Sequence, residues 1–108
     1  MSADLPKPIA TYFAADNADG EAVARCFTLD GVAKDEGHTY HGTAEIKQWK
    51  AVTSTKYAYT SEPFASQQQG ATVIVTSRLT GTFPGSPVDL RYFFRLEGDK
   101  IASLEILP

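Results

Sequence analysis

The sequence has few of the features that mark specialised classes of protein. Its one cysteine, Cys26, excludes an intrachain disulfide and a cysteine-based metal cluster. It contains no apolar run long enough to cross a membrane. The first residues, MSADLPKPIA, lack the apolar core of a secretory signal peptide. We therefore expect a cytoplasmic protein.

Several common functional signatures are also missing. The chain has no G-x-G-x-x-G, no P-loop and no G-x-S-x-G motif. Its net charge of -3 argues against a nucleic-acid partner, because phosphate-binding surfaces usually carry a basic excess. What remains is a chain of 108 residues, 43% hydrophobic and 21% charged, which is typical of one folded domain spanning residues 1–108.

The first half of the chain has helical periodicity. A first helix, capped by Asp4, is predicted from the residues that share one face: Leu5, Ile9, Tyr12, Phe13 and Asp16. A second short helix, with Asp19 as its cap, would bury Ala22, Val23, Cys26 and Phe27.

The segment from Phe27 to Trp49 connects these helices to a third. Asp30-Gly31 predicts a turn, and residues 32–35 a short strand that ends in Asp35. A polar loop follows. A third helix is then expected from Gly42-Thr43, with an apolar stripe formed by Ile46, Trp49 and Val52.

From residue 56 onward the hydrophobic period changes to two, which predicts four strands. Their expected ranges are 57–66, 71–83, 88–96 and 101–107, with a polar turn at 67–70. Pro63 in the first of them indicates an edge strand or a bulge. The predicted order α-α-β-α-β-β-β-β describes an α+β fold, in which three helices pack on a curved antiparallel or mixed sheet and leave a conical pocket.

These segments resemble the NTF2-like superfamily, and within it the SnoaL-like and ketosteroid-isomerase-like proteins. The matching pieces are Tyr12-Phe13-Ala14-Ala15 with Asn17-Ala18-Asp19, Phe27-Thr28-Leu29-Asp30-Gly31-Val32, Asp35, Gly42-Thr43-Ala44-Glu45-Ile46, Tyr92-Phe93-Phe94-Arg95-Leu96, Gly98 and the closing strand. The resemblance covers nearly the whole chain. It implies the cone-shaped NTF2-like fold, whose members include enzymes, binding modules and assembly domains.

The resemblance also implies catalytic residues. Asp35 stands at the position of the general base of ketosteroid isomerase, and Tyr12 at that of its helix tyrosine. Tyr92 replaces the second acid of that enzyme, which departs from the steroid isomerase pattern. The alternatives are that Asp35 is an exposed turn acid and that both tyrosines are core aromatics.

Further residues are expected to line the pocket: Phe13, His38, Tyr40, Trp49, Phe94, Leu104 and Ile106. His38 and His41 form an H-x-x-H pair, but a zinc site needs more ligands and a rigid frame, so we expect loop histidines near the pocket mouth and no metal. His38 is an additional candidate acid or base.

Two classes of function remain open at this point. One is an isomerase or cyclase that uses no cofactor and acts on a hydrophobic carbonyl compound, with Asp35 moving the proton. The other is a non-catalytic binding or accessory module. Whichever class applies, the apolar residues Ile74 and Phe93 lie beside arginines on the outer face of the sheet, which predicts that this face is covered. The resemblance implies that a homodimer covers it.

Overall fold

A computed structural model describes residues 5–18, 20–56 and 58–108. The elements in chain order are α1 (Lys7–Ala18), α2 (Gly20–Ala24), β1 (Phe27–Asp35), β2 (His38–His41), α3 (Gly42–Lys56), β3 (Tyr59–Gln69), β4 (Thr72–Gly81), β5 (Val88–Glu97) and β6 (Lys100–Leu107). The predicted caps Asp4 and Asp19, and the predicted strand start at Tyr57, lie outside the described residues.

The six strands form one curved, open sheet in the order β2-β1-β6-β5-β4-β3. Neighbouring strands are antiparallel except for β1 and β6, which are parallel. The sheet is therefore mixed, and the helices pack against it. The predicted α+β class and the NTF2-like architecture are confirmed.

The expected turn at Asp30-Gly31 is wrong, because β1 runs unbroken from Phe27 to Asp35. The pairing of β1 with β6 shifts register between Phe27 and Val32. A bulge of this kind accommodates turn-favouring residues within a strand. Phe27 consequently belongs to the sheet and not to the second helix.

The expected loop before the third helix is also wrong, because residues 38–41 form strand β2. Strand β2 pairs antiparallel with β1, with Asp35 opposite His38. The two residues between the strands, Glu36 and Gly37, have positive φ angles of 53° and 80°. This backbone twist is the one that two-residue hairpins favour, so a histidine-bearing hairpin replaces the loop.

Strand β3 lies at the edge of the sheet, and its pairing with β4 shifts register between Pro63 and Ala65. Pro63 thus marks both an edge strand and a bulge, as its missing N–H group requires. The strand continues through Gln69, so the predicted polar turn shrinks to Gly70-Ala71.

The core fills one half of the concave face of the sheet. Its fully buried side chains include Ile9 and Tyr12 of α1, Ile46 of α3, Phe94 of β5 and Leu104 of β6. The stripe predicted for α3 holds for Ile46 and Trp49 but not for Val52, which is 52% exposed. Within the described ranges, no helix combines the length and the apolarity needed to cross a membrane.

Candidate functional site

A cavity of about 460 Å³ opens over the other half of the concave face. Helices α1 and α3 and the strands of the sheet all contribute to its wall. Its polar and aromatic lining includes Tyr12, Asp16, Asp35, Glu36, His38, Tyr40, Trp49, Lys50, Tyr59 and Tyr92, and its aliphatic lining includes Val52, Leu79, Val88, Leu90 and Ile106. The wall therefore combines aliphatic and aromatic surface with carboxyl, phenol and amino groups.

Strand register brings two of the predicted residues onto one row of the sheet. Asp35 of β1 is paired with Ile106 of β6, and Ile106 is paired with Tyr92 of β5. Residues in register on neighbouring strands point to the same face. Asp35 and Tyr92 therefore flank Ile106 in the cavity, although they are far apart in the sequence.

Asp35 is the last residue of strand β1, and its side chain is partly buried. Its Oδ2 accepts a hydrogen bond from the indole Nε1 of Trp49 at 3.2 Å. Burial raises the pKa of Asp35 above its ordinary value, the Trp49 bond opposes this, and the charge of Glu36 adds to it. A carboxylate with a raised pKa is a stronger base in water-poor surroundings.

Tyr12 of α1 is also one of the residues that line this cavity. Its side chain is fully buried, and its hydroxyl has no hydrogen-bond partner among the described residues. Burial, and then the charge of Asp16, raise the pKa of Tyr12 well above its ordinary value. The phenol stays protonated, so it can donate to an acceptor that enters the cavity.

Tyr92 lies beside Tyr12, with 6.2 Å between the ring centroids. Its side chain is only 2% exposed. Burial and the charge of Asp16 raise the pKa of Tyr92, while a hydrogen bond with Ser61 acts in the opposite direction. Tyr92 is thus also a neutral phenol, but Ser61 already engages its hydroxyl.

The other residues expected in the pocket separate into two groups. His38, Tyr40, Trp49 and Ile106 line the cavity. Phe13, Phe94 and Leu104 do not; they are 3%, 0% and 1% exposed and lie in the core. The reason is topological, since α1 covers that half of the sheet and its aromatic side chains occupy the concave face there.

The two histidines lie on β2 with different surroundings. His38 lines the cavity, whereas His41 does not. Between them, Tyr40 stacks on Trp49, with 5.6 Å between the ring centroids and 20° between the ring planes. Within the described ranges, no three or more His, Cys, Asp or Glu side chains are grouped to hold a metal ion.

Sequence reasoning missed a charged network in the cavity wall. Lys50 Nζ lies 2.5 Å from Asp16 Oδ1 and donates to the Tyr59 hydroxyl at 2.9 Å. The Tyr59 hydroxyl in turn donates to Asp16 Oδ1 at 2.9 Å. The signal was present: Asp16 falls on the apolar face of α1, and Lys50 follows Ile46 by four residues on α3, so both point inward.

The sequence profile of the SnoaL-like domain matches residues 9–104, nearly the whole chain. The chain belongs to the SnoaL-like family. Its architecture, with helices on a curved mixed sheet, is the one expected from this membership. No match was found among curated proteins.

Solved structures of similar proteins support the same fold. A protein from Sinorhizobium meliloti, described as a candidate polyketide cyclase, is 38% identical, with 95% of each chain covered and a TM-score of 0.90. A hypothetical protein from Catenulispora acidiphila with a ketosteroid isomerase-like fold, solved with trimethylamine, is 22% identical, with 97% of this chain and 87% of that chain covered and a TM-score of 0.85. TerC, co-crystallised with polyporic acid, is 20% identical, with coverage of 93% and 87% and a TM-score of 0.77.

The unpartnered hydroxyl of Tyr12 generates a first prediction. An unsatisfied buried donor is destabilising, so Tyr12→Phe should raise the free energy of unfolding by about 1 kcal/mol. The matched variant Tyr59→Phe removes a hydroxyl that bonds both Asp16 and Lys50. It should lower the free energy of unfolding by about 1–3 kcal/mol. Urea unfolding measures both; a destabilised Tyr12→Phe variant would contradict the geometry.

Asp35 generates a second prediction, on pH dependence. Its pKa is raised in the folded state, so the folded protein holds this proton to higher pH than the unfolded chain does. Stability from this group is present below the ordinary carboxyl pKa and is lost as pH rises through the folded pKa. Between pH 3 and 7, Asp35→Asn should therefore gain stability relative to the wild-type protein.

Urea unfolding at each pH tests this sign. Asp99→Asn, which changes an exposed carboxylate in the β5–β6 turn, serves as the control and should show no such gain. A loss of relative stability for Asp35→Asn as pH rises would show that the carboxylate is stabilised by folding.

Proposed function

We propose that this SnoaL-like protein is an acid–base enzyme that needs no cofactor and acts on a small hydrophobic carbonyl compound, as an isomerase or a cyclase. One observation carries the proposal: Asp35, whose carboxylate is partly buried, and Tyr12, whose buried hydroxyl has no partner among the described residues, line the same cavity. A base and a hydrogen-bond donor on one cavity wall are what proton abstraction beside a carbonyl requires.

The chemical step follows from these two groups. Asp35 removes a proton from the carbon beside the carbonyl, and the electron pair of the broken C–H bond forms an enolate. Its negative charge develops on the oxygen, where the Tyr12 hydroxyl donates and Tyr92 lies alongside. In an isomerase, Asp35 returns the proton to a different carbon. In a cyclase, the enolate carbon attacks a second carbonyl carbon, and the resulting alkoxide takes up the proton.

The electrostatics of the cavity suit this step. Burial raises the pKa of Asp35, so its carboxylate is a stronger base than one in water. Burial also raises the pKa of Tyr12, so the phenol remains a neutral donor and does not itself ionise. Hydrogen bonds to a developing oxyanion gain strength where water is excluded.

Similar proteins lend support to a small-molecule substrate. The Sinorhizobium meliloti protein, 38% identical, is described as a candidate polyketide cyclase, which matches the cyclase form of the proposal. TerC was crystallised with polyporic acid, and the Catenulispora acidiphila protein with trimethylamine. The alternative function, a module that binds such molecules without chemistry, would use the same cavity and differ only in the role of Asp35.

Hydrogen–deuterium exchange tests the proposal without knowledge of the substrate. A polycyclic ketone such as 2-tetralone in D2O should exchange its α-hydrogens faster with the protein than with buffer, as followed by NMR. Asp35→Asn should lower this protein-dependent exchange about 10²–10⁴-fold, the usual contribution of a general base.

Asp99→Asn is the matched control and should exchange at the wild-type rate. Binding of the ketone, detected by its NMR line broadening, shows whether the cavity is occupied. Binding without exchange would favour the binding module, and equal exchange with Asp35→Asn would reject Asp35 as the base.

We also infer a two-fold dimer through the outer sheet face. Ile74 and Phe93 are in register on β4 and β5, and both are partly buried. Arg91 lies 5.6 Å from the Phe93 ring centroid. Phe64 on β3, whose ring centroid is 5.4 Å from Arg78, is 44% exposed. Phe93→Glu should convert a dimer into a monomer in sedimentation velocity, whereas a wild-type monomer at high concentration would reject the dimer.

A further inference from the structure

The wall of the cavity contains a buried ion pair for which the proposed step has no use. The side chains of Lys50 and Asp16 are 4% and 2% exposed. Asp16 lies on α1, Lys50 on α3, and their shared partner Tyr59 on β3. The pair thus connects three elements at the point where they border the cavity.

A buried ion pair is a costly way to connect them. Removing two charges from water costs several kcal/mol per ion, and well-packed apolar residues in the same place are often at least as stabilising. The wall already has apolar neighbours in Leu79, Val88 and Leu90. Stability of the fold therefore does not account for the choice of charged residues.

The pair is separated from Asp35 by a single aromatic side chain. Trp49 donates its indole N–H to Asp35, and the Lys50 ammonium lies 4.5 Å from the centroid of the Trp49 ring. Tyr59 contributes a second ring 5.6 Å from the same ammonium. The cation–π contact thus holds Trp49 between Lys50 and Asp35.

Charged groups from the β1–β2 hairpin, α1 and α3 set the electrostatic surroundings of Asp35. Three charged side chains act on it: Glu36 from the hairpin and Asp16 from α1 oppose its ionisation, and Lys50 from α3 favours it. The remaining titratable groups in the cavity wall are His38, Tyr12, Tyr40, Tyr59 and Tyr92. The Asp16 and Lys50 charges act on Asp35 in opposite directions because their signs are opposite. Since the two groups are paired at contact distance, their effects on Asp35 largely cancel.

We propose that Asp16 and Lys50 form a positioning unit for Asp35: their opposite charges largely cancel at its carboxylate, and Lys50 fixes the Trp49 indole that hydrogen-bonds it. This inference rests on the proposed role of Asp35 as the base. Lys50 alone would hold the carboxylate ionised and weaken it as a base. Asp16 alone would hold it protonated. With both charges present, burial is the main influence on the basicity of Asp35.

Three variants test the unit: Asp16→Asn, Lys50→Met and the double variant. The first readout is the titration of the Asp35 side-chain carboxyl by 13C NMR without any ligand. Asp16→Asn leaves the lysine charge and should move the Asp35 midpoint to lower pH. Lys50→Met leaves the carboxylate charge and should move it to higher pH. The double variant should shift it less than either single variant.

The second readout is the pH dependence of ketone exchange, whose midpoint should move with the NMR midpoint in each variant. Lys47→Met, which changes an exposed lysine of the same helix, is the control and should leave both midpoints at their wild-type values. A merely structural role for the pair would lower stability without shifts of opposite sign.

Loss of one partner leaves the other charge buried and uncompensated, which is strongly destabilising, so a single variant can fail to fold. The double variant has no buried charge at these positions, so it should fold. The Asp35 midpoint can therefore be measured in it even if a single variant is unfolded. A double variant with a strongly shifted Asp35 midpoint, or single variants shifted in the same direction, would overturn the proposal. If the two single variants shift the Asp35 NMR midpoint in opposite directions but the wild-type protein does not catalyse ketone exchange, the proposed function is rejected. The inference that Asp16 and Lys50 balance each other at Asp35 then stands.

Discussion

The parallel pairing of β1 with β6 is the constraint on which the site depends. It inserts the last residue of β1 beside the final strand, and so places Asp35 on the concave face next to Ile106. The antiparallel pairing of β6 with β5 then brings Tyr92 to the other side of Ile106. A shift of one residue in either register would turn one of these side chains to the outer face. The site is therefore a consequence of sheet topology.

The curvature of the sheet explains why the protein has a cavity. Helix α1 fills one half of the concave face with Tyr12 and Phe13, which contact Phe94 edge-on. The other half, near the start of β5, remains open and receives the lining residues of the cavity. Aromatic residues one position apart on α1 therefore differ in role: Tyr12 reaches the cavity, and Phe13 belongs to the core.

The cavity concentrates polar groups that the fold would tolerate better elsewhere. Tyr12 buries a hydroxyl without a partner among the described residues, and Asp35 carries a carboxyl whose raised pKa reflects lost hydration. Asp16 and Lys50 add a buried ion pair. Each of these features costs stability, and such local conflicts with folding are commonest at functional sites. Their position on one cavity wall makes a shared purpose the simplest physical explanation.

The amino-acid sequence by itself determined the fold class and the family. Hydrophobic periods of 3.6 and 2 depend only on neighbouring residues, so the helical half, the stranded half and the bulge at Pro63 could be read directly. The hairpin at Glu36-Gly37 escaped because a non-glycine residue with positive φ carries a weak local signal. Tertiary structure alone decided which residues meet. The row Asp35-Ile106-Tyr92 and the Asp16-Lys50-Tyr59 network join residues from different elements, and only strand register and helix packing bring them together.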